Sequence, residues 1–198
     1  MFIGAGLLFD KIPWTTVQKI RKDTQIYVLK LLGQDDSLKG TLVAIALSFA
    51  VSFAAGFTEE ALFRGQLLPF ISTWLNSHFP LTIDPALVLN SPFPSFDIIS
   101  LIVTSIVFGL LHFPTFGLSA IIEIVLGGAF GLSFLASGGN ILIPILIHTV
   151  YDFVTIFGSW KKALDELHQA EERSLNELST LSMEQIAGKV RTNKLQTI

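Results

Sequence analysis

Cysteine is absent from the chain. That excludes disulfides, thiolate zinc sites and a cysteine nucleophile outright. Charge is scarce too. Asp, Glu, Lys and Arg make up 15% of the 198 residues, against roughly 25% in average soluble domains. Between Arg64 and Lys161 there is no Lys or Arg, and the only formal charges are Asp84, Asp97, Glu123 and Asp152. A net charge of -3 with no basic stripe excludes a nucleic-acid partner. The apolar run Met1–Phe9 lacks a basic n-region, so no cleaved signal peptide is expected. It is also too short to span a bilayer, and reads as the end of a helix whose upstream part lies outside this chain.

What is present is apolar. Hydrophobic residues make up 51% of the chain, and the mean hydropathy is +0.61. This composition predicts an integral, multi-pass membrane protein in contact with a lipid bilayer. The expected fold is all-α: a polytopic helical bundle of about five apolar segments, an amphipathic N-terminal helix and a soluble helical C-terminal tail. Three regions follow: 1–40 N-terminal and interfacial, 41–158 a membrane core, and 159–198 a polar tail.

Over residues 13–32, Trp14, Val17, Ile20, Val28 and Leu31 recur near helical spacing, with Lys19, Arg21, Lys22 and Lys30 elsewhere on the wheel. Such a helix suits a membrane surface or packing on the domain. Thr41–Phe57 is the first candidate span, and it runs straight into two adjacent glutamates, Glu59 and Glu60. Ala61–Trp74 continues it, interrupted by Pro69. As one helix the two would measure about 58 Å at 1.5 Å per residue, roughly twice a bilayer core, so a bend or break is expected. Residues 76–97, with Pro80, Pro85, Pro92 and Pro94, read as a loop. Ile98–His112 is the third segment, ended by Phe113-Pro114. Leu118–Ala136 is the fourth, with Gly127, Gly128 and Gly131 for close helix contact. Ser137-Gly138-Gly139-Asn140 reads as a tight turn before the fifth, Ile141–Phe157. From Lys161 the composition shifts: six basic and six acidic residues accompany a partial stripe of Leu164, Leu167, Leu175, Leu178 and Leu181.

Ionisable residues inside apolar segments are functional-site candidates by default, because each costs several kcal/mol unless paired or solvated. Here three pairs share one spacing: Glu60 and Arg64, Phe108 and His112, His148 and Asp152 are each i,i+4. On a helix each pair lies on one face. Glu60 before Arg64 has the favourable order for a helical ion pair. Glu59, about 100° around the wheel, is left without a local partner and is available as a base. His112 and His148 are able to hydrogen-bond, move protons or bind metal. Asp152 either orients His148 or acts directly.

The runs Glu59-Glu60-Ala-Leu-Phe-Arg64, Phe108-Gly-Leu-Leu-His112 and His148-Thr-Val-Tyr-Asp152 resemble the EExxxR, FxxxH and HxxxN/D motifs of the CPBP family. That family includes type II CAAX prenyl endopeptidases and bacteriocin-processing and immunity proteins. The order and approximate spacing agree over roughly residues 41–158. The resemblance implies an intramembrane endopeptidase acting on a peptide or protein substrate at the membrane. Glu59 and His112 match the residues that activate water, and His148 and Asp152 the pair that stabilises the oxyanion. Glu60, Arg64 and Phe108 match supporting positions. The prenyl endopeptidases have Asn where this chain has Asp152. An ionised Asp cannot donate a hydrogen bond to an oxyanion, so Asp152 is either protonated or orients His148. The chain is also shorter than the family's roughly eight-span members. No cofactor is firmly implied. If zinc or another divalent metal is held, Glu59, His112 and His148 are its ligands; the helical HExxH arrangement is missing, and a metal-free site is the preferred expectation.

Reacting groups must share a depth. Separate crossings for Thr41–Phe57 and Ala61–Trp74 bring Glu59 and His112 to one side, whereas a four-pass arrangement puts them at opposite faces. Five passes are therefore expected. Lys161 and Lys162 abut the last span, which favours a cytoplasmic tail. Two other functions stay open at this level: a non-catalytic membrane scaffold or immunity-type protein, and a proton or ion pathway.

Overall fold

The structure, a computed structural model, describes residues 15–79, 95–116 and 120–179. Every element among them is helical. In chain order they are α1 (Thr15–Leu32), α2 (Leu38–Leu62), a π-helical turn (Phe63–Leu67), α3 (Leu68–His78), α4 (Ser95–Phe116), α5 (Ala120–Ala136) and α6 (Leu142–Ser179). The expectations for Met1–Phe9, Trp14 and Leu181, and the middle of the 76–97 loop, fall outside the described residues. The ends of that loop region are helical, to His78 and from Ser95.

Burial is inverted relative to a water-soluble bundle. The buried residues of α2 are Gly40, Ala44, Ser48, Ser52, Gly56 and Glu60, while Leu42, Val43, Phe49, Phe53 and Phe57 are exposed. On α4, Ser100, Thr104 and Ser105 are buried, and Ile102, Val103 and Ile106 face out. Large apolar side chains outside and small or polar ones between helices is the pattern lipid selects, because a lipid tail is as apolar as a leucine. Two helical runs, Leu38–His78 and Leu142–Glu177, are long and apolar enough to cross a membrane; Phe96–His112 and Ala120–Ala136 are shorter apolar helices.

The expected break at the glutamates is corrected here. Thr41–Phe57 and Ala61–Trp74 are parts of one 41-residue helical run, not two antiparallel crossings, so the described residues hold four apolar helical runs. Pro69 explains the local geometry. It has no N–H, so an α-helix continued through it leaves a carbonyl without its donor. The π turn absorbs the defect: the Leu68 N–H reaches back to the Phe63 carbonyl, one residue further than in an α-helix. The axis continues with a changed register and no reversal. Pro114 does not end α4 either; the helix runs on to Phe116. The tight turn does form, with Gly138 at φ 70° and Gly139 at φ 85°, a backbone region glycine enters without steric cost.

The rod has different neighbours along its length. Its α2 half packs antiparallel on α6, and α3 packs on α4, which pairs with α5. Gly56 allows the first approach: a Cβ there would stand 2.7 Å from Thr149 Oγ1 and 3.2 Å from the Ile145 carbonyl oxygen. Gly109 allows the α4–α5 approach, where a Cβ would lie 2.7 Å from the Ala120 carbonyl oxygen. Beyond the apolar core, α6 continues without a break across residues 158 and 159. Its Trp160 and Leu164 are buried against Val28 and Leu32 of α1, and Trp160 Nε1 donates to the Gly33 carbonyl at 2.8 Å. So α1 packs on the domain through one face while Ile26 and Tyr27 stay exposed.

Candidate active site

The antiparallel register of the rod and α4 builds the site. Ser72 hydrogen-bonds Asp97, and the Phe63 and Phe108 rings meet edge to face at 5.1 Å. Counting back from Ser72 to Glu59 climbs about 20 Å, and counting forward from Asp97 to His112 climbs about 22 Å. The two side chains therefore arrive at one level. His112 Nε2 lies 3.9 Å from Glu59 Oε2. The expectation that an unreversed rod would hold Glu59 and His112 at opposite faces is thereby overturned: α4 runs antiparallel beside the same helix and brings His112 level with Glu59.

From α6, His148 joins them. Its Nε2 is also 3.9 Å from Glu59 Oε2 and lies 3.3 Å from Asp152 Oδ2. Its Nδ1–H donates to Glu60 Oε1 at 2.9 Å. Arg64 Nη1 donates to the same oxygen at 3.1 Å, and Arg64 Nη2 donates to the Gly127 carbonyl. Glu60 is therefore more than Arg64's helical partner, because it bridges Arg64 to His148. Both Glu60 and Arg64 are fully buried. A buried charge left without its partner costs several kcal/mol, and here each ion has one.

Aromatic rings close the cage. The Arg64 guanidinium lies 5.2 Å from the Phe108 ring centroid, 5.7 Å from Phe63 and 5.8 Å from Phe130. Phe130 stacks on His148 at 4.5 Å with 14° between planes. Phe108 lies between the two histidines, 4.7 Å from His112 and 6.1 Å from His148. Its carbonyl accepts from His112 Nδ1 at 2.7 Å. A carbonyl has only lone pairs to offer, so Nδ1 carries the hydrogen and Nε2 of neutral His112 presents its lone pair toward Glu59.

All seven residues singled out by the three motifs converge: Glu59, Glu60, Arg64, Phe108, His112, His148 and Asp152. Two further members carry no motif spacing. Phe130 is one aromatic residue in an apolar helix. Glu123 is the lone acid of α5, and it lies within electrostatic reach of His112, Asp152, His148 and Glu59. The rule that an ionisable residue in an apolar segment marks function would have found it.

The residues expected to hold a metal do lie together: Nε2 of His112 and Nε2 of His148 each stand 3.9 Å from Glu59 Oε2. His148 Nδ1 is engaged with Glu60, the kind of contact that orients a metal-binding imidazole, so a divalent ion would be held by Glu59, His112 and His148, where it would polarise a water or a carbonyl.

With the geometry in place, comparison with known families is decisive. The sequence profile described as Rce1-like, type II CAAX prenyl endopeptidase Rce1-like, matches residues 41–154. The chain belongs to this family. The matched stretch contains every residue of the Rce1-like site just described and stops before α1's partner residues Trp160 and Leu164. Comparison with curated proteins and with solved structures gives no match. The family is a peptidase family, and it is membrane-embedded.

Proposed function

We propose that the protein is a multi-pass intramembrane endopeptidase that hydrolyses a peptide bond near the membrane surface. One observation carries this reading. Glu59 Oε2 stands 3.9 Å from both His112 Nε2 and His148 Nε2. That separation is too long for a hydrogen bond and suits a water held between the groups. Glu59 and the Nε2 lone pair of His112 accept the two hydrogens of that water, which leaves an oxygen lone pair free to attack a carbonyl carbon. Glu59 then takes the proton as general base.

His148, donating to Glu60 on one side and facing Asp152 on the other, serves as a cationic donor to the developing oxyanion. Asp152 works by orienting and charging His148, the second of the two roles its chemistry allows. Glu60, Arg64 and the Phe108 carbonyl hold these groups in place.

The test uses membranes carrying wild type or Glu59→Gln and a peptide with a farnesylated CAAX terminus. Mass spectrometry should find a truncated product with wild type, and a rate lowered by about 10²–10⁴-fold with the variant. Identical product profiles from the two membranes would sink the endopeptidase reading.

A further inference from the structure

Peptide hydrolysis needs a base for water, a donor for the oxyanion and a proton for the leaving nitrogen. The proposed function assigns the first two. Four carboxyl groups face the site. Glu60 is tied to Arg64 and His148, Asp152 to His148, and Glu59 faces both imidazoles. The fourth is Glu123, on α5, within electrostatic reach of His112, Asp152, His148 and Glu59.

Its placement follows from α5. Glu123 is i,i+4 with Gly127, whose carbonyl accepts from buried Arg64, so the two share the face turned to the site. The neighbouring Ala120 and Ile124 backbone abuts Gly109, three residues before His112. A helical side chain leans toward its helix N-terminus, and for Glu123 that direction is the His112 end of α4. The charged and titratable groups of the site are Glu59 on α2, Glu60 and Arg64 behind it, Glu123 on α5, and His148, Tyr151 and Asp152 on α6, with Glu123 influenced by His112 and Tyr151 by Glu123. His112 thus has Glu59 at 3.9 Å on the rod side, and Glu123 approaches the same end of α4 from α5.

Resting on the endopeptidase reading, we infer that Glu123 is a catalytic residue that delivers a proton to the leaving amine from the α5 side of the site. The step balances. Water oxygen bonds to the carbonyl carbon, and its proton passes to Glu59. The C–N bond breaks with its electron pair on nitrogen, and the Glu123 carboxyl proton goes to that nitrogen. The proton on Glu59 returns to Glu123 through the next water that enters the site, so peptide and water become acid and amine with the site restored.

The experiment compares two substrates: a farnesylated CAAX peptide, and the same peptide with sulfur in place of the scissile N–H. A thiolate leaves without a proton, whereas an amine does not. Glu123→Gln is expected to lower amide cleavage by about 10²-fold and thioester cleavage by less than about threefold. Glu123→Asp keeps a carboxyl and should recover part of the amide rate. Glu59→Gln should lose both reactions. The amide-to-thioester ratio is independent of how much variant is folded. An unchanged ratio in Glu123→Gln, whether both rates fall or neither does, overturns the inference alone. Wild type that cleaves neither substrate overturns the endopeptidase reading and this inference with it.

Discussion

At the scale of single residues, the feature that organises the site is Glu60. One carboxylate oxygen accepts from Arg64 at 3.1 Å and from His148 at 2.9 Å, all three side chains being buried. Removing that acceptor strands two donors at once. Glu60→Leu should therefore destabilise the protein by about 3–5 kcal/mol, the usual cost of breaking a buried pair from one side. Replacing both ions, as Glu60→Leu with Arg64→Met, should recover much of that stability, because apolar side chains of similar volume often substitute well for a buried pair. Activity should stay lost in the double variant, since His148 Nδ1–H then has no acceptor and its ring is no longer oriented. Thermal unfolding in detergent beside peptide cleavage separates the two effects. Activity returning together with stability would show that Glu60 acts only through folding.

At the scale of elements, the glycines set how closely the reacting side chains meet. Gly56 lies one turn from Glu60, and a Cβ there would stand 2.7 Å from Thr149 Oγ1 and 3.1 Å from the Thr149 backbone nitrogen. The hydroxyl has room to rotate only by a change of rotamer and the backbone nitrogen does not move aside, so Gly56→Ala pushes α2 from α6. We expect a loss of about 1–3 kcal/mol, as for overpacking elsewhere. Turnover per folded molecule should also fall, because the shift widens the gap between Glu59 and His148. Unfolding midpoints and rates normalised to folded protein check both; an unaltered rate would mean that the site tolerates the displacement. The i,i+4 spacing of Glu60 with Arg64 and His148 with Asp152 made most of this site legible from sequence, because a helix turns any such pair to one face. The Gly138-Gly139 turn was legible because left-handed backbone favours glycine. The continuous rod was not. Pro69 and the bilayer thickness both argued for a break, and only the Leu68 N–H reaching Phe63 shows how a π turn lets the helix pass the proline. Glu123 and Phe130 escaped because their partners lie on other helices, at no fixed sequence offset.

At the scale of the whole molecule, the site lies where two packing groups overlap. Toward Leu38 the rod has α6 and α1 for neighbours; toward His78 it has α4, with α5 behind. Only around Glu59 to Gly65 do the rod, α4, α5 and α6 all meet: His112, Gly127 and His148 reach the Glu59–Arg64 turn from three helices. This arrangement makes the α1 end separable from the chemistry. Trp160, fully buried against α1, lies two turns along α6 from Asp152, about 12 Å away. Trp160→Ala removes its packing and its hydrogen bond to Gly33, which should cost about 3–5 kcal/mol and loosen α1. The nearest site residue, Asp152, is those two turns away from the lost packing, so the rate per folded molecule should match wild type. Limited proteolysis should cut the variant near Gly33 faster while peptide cleavage persists. Loss of cleavage with α1 released would instead make the α1–α6 packing part of what holds His148 and Asp152 in register with Glu59.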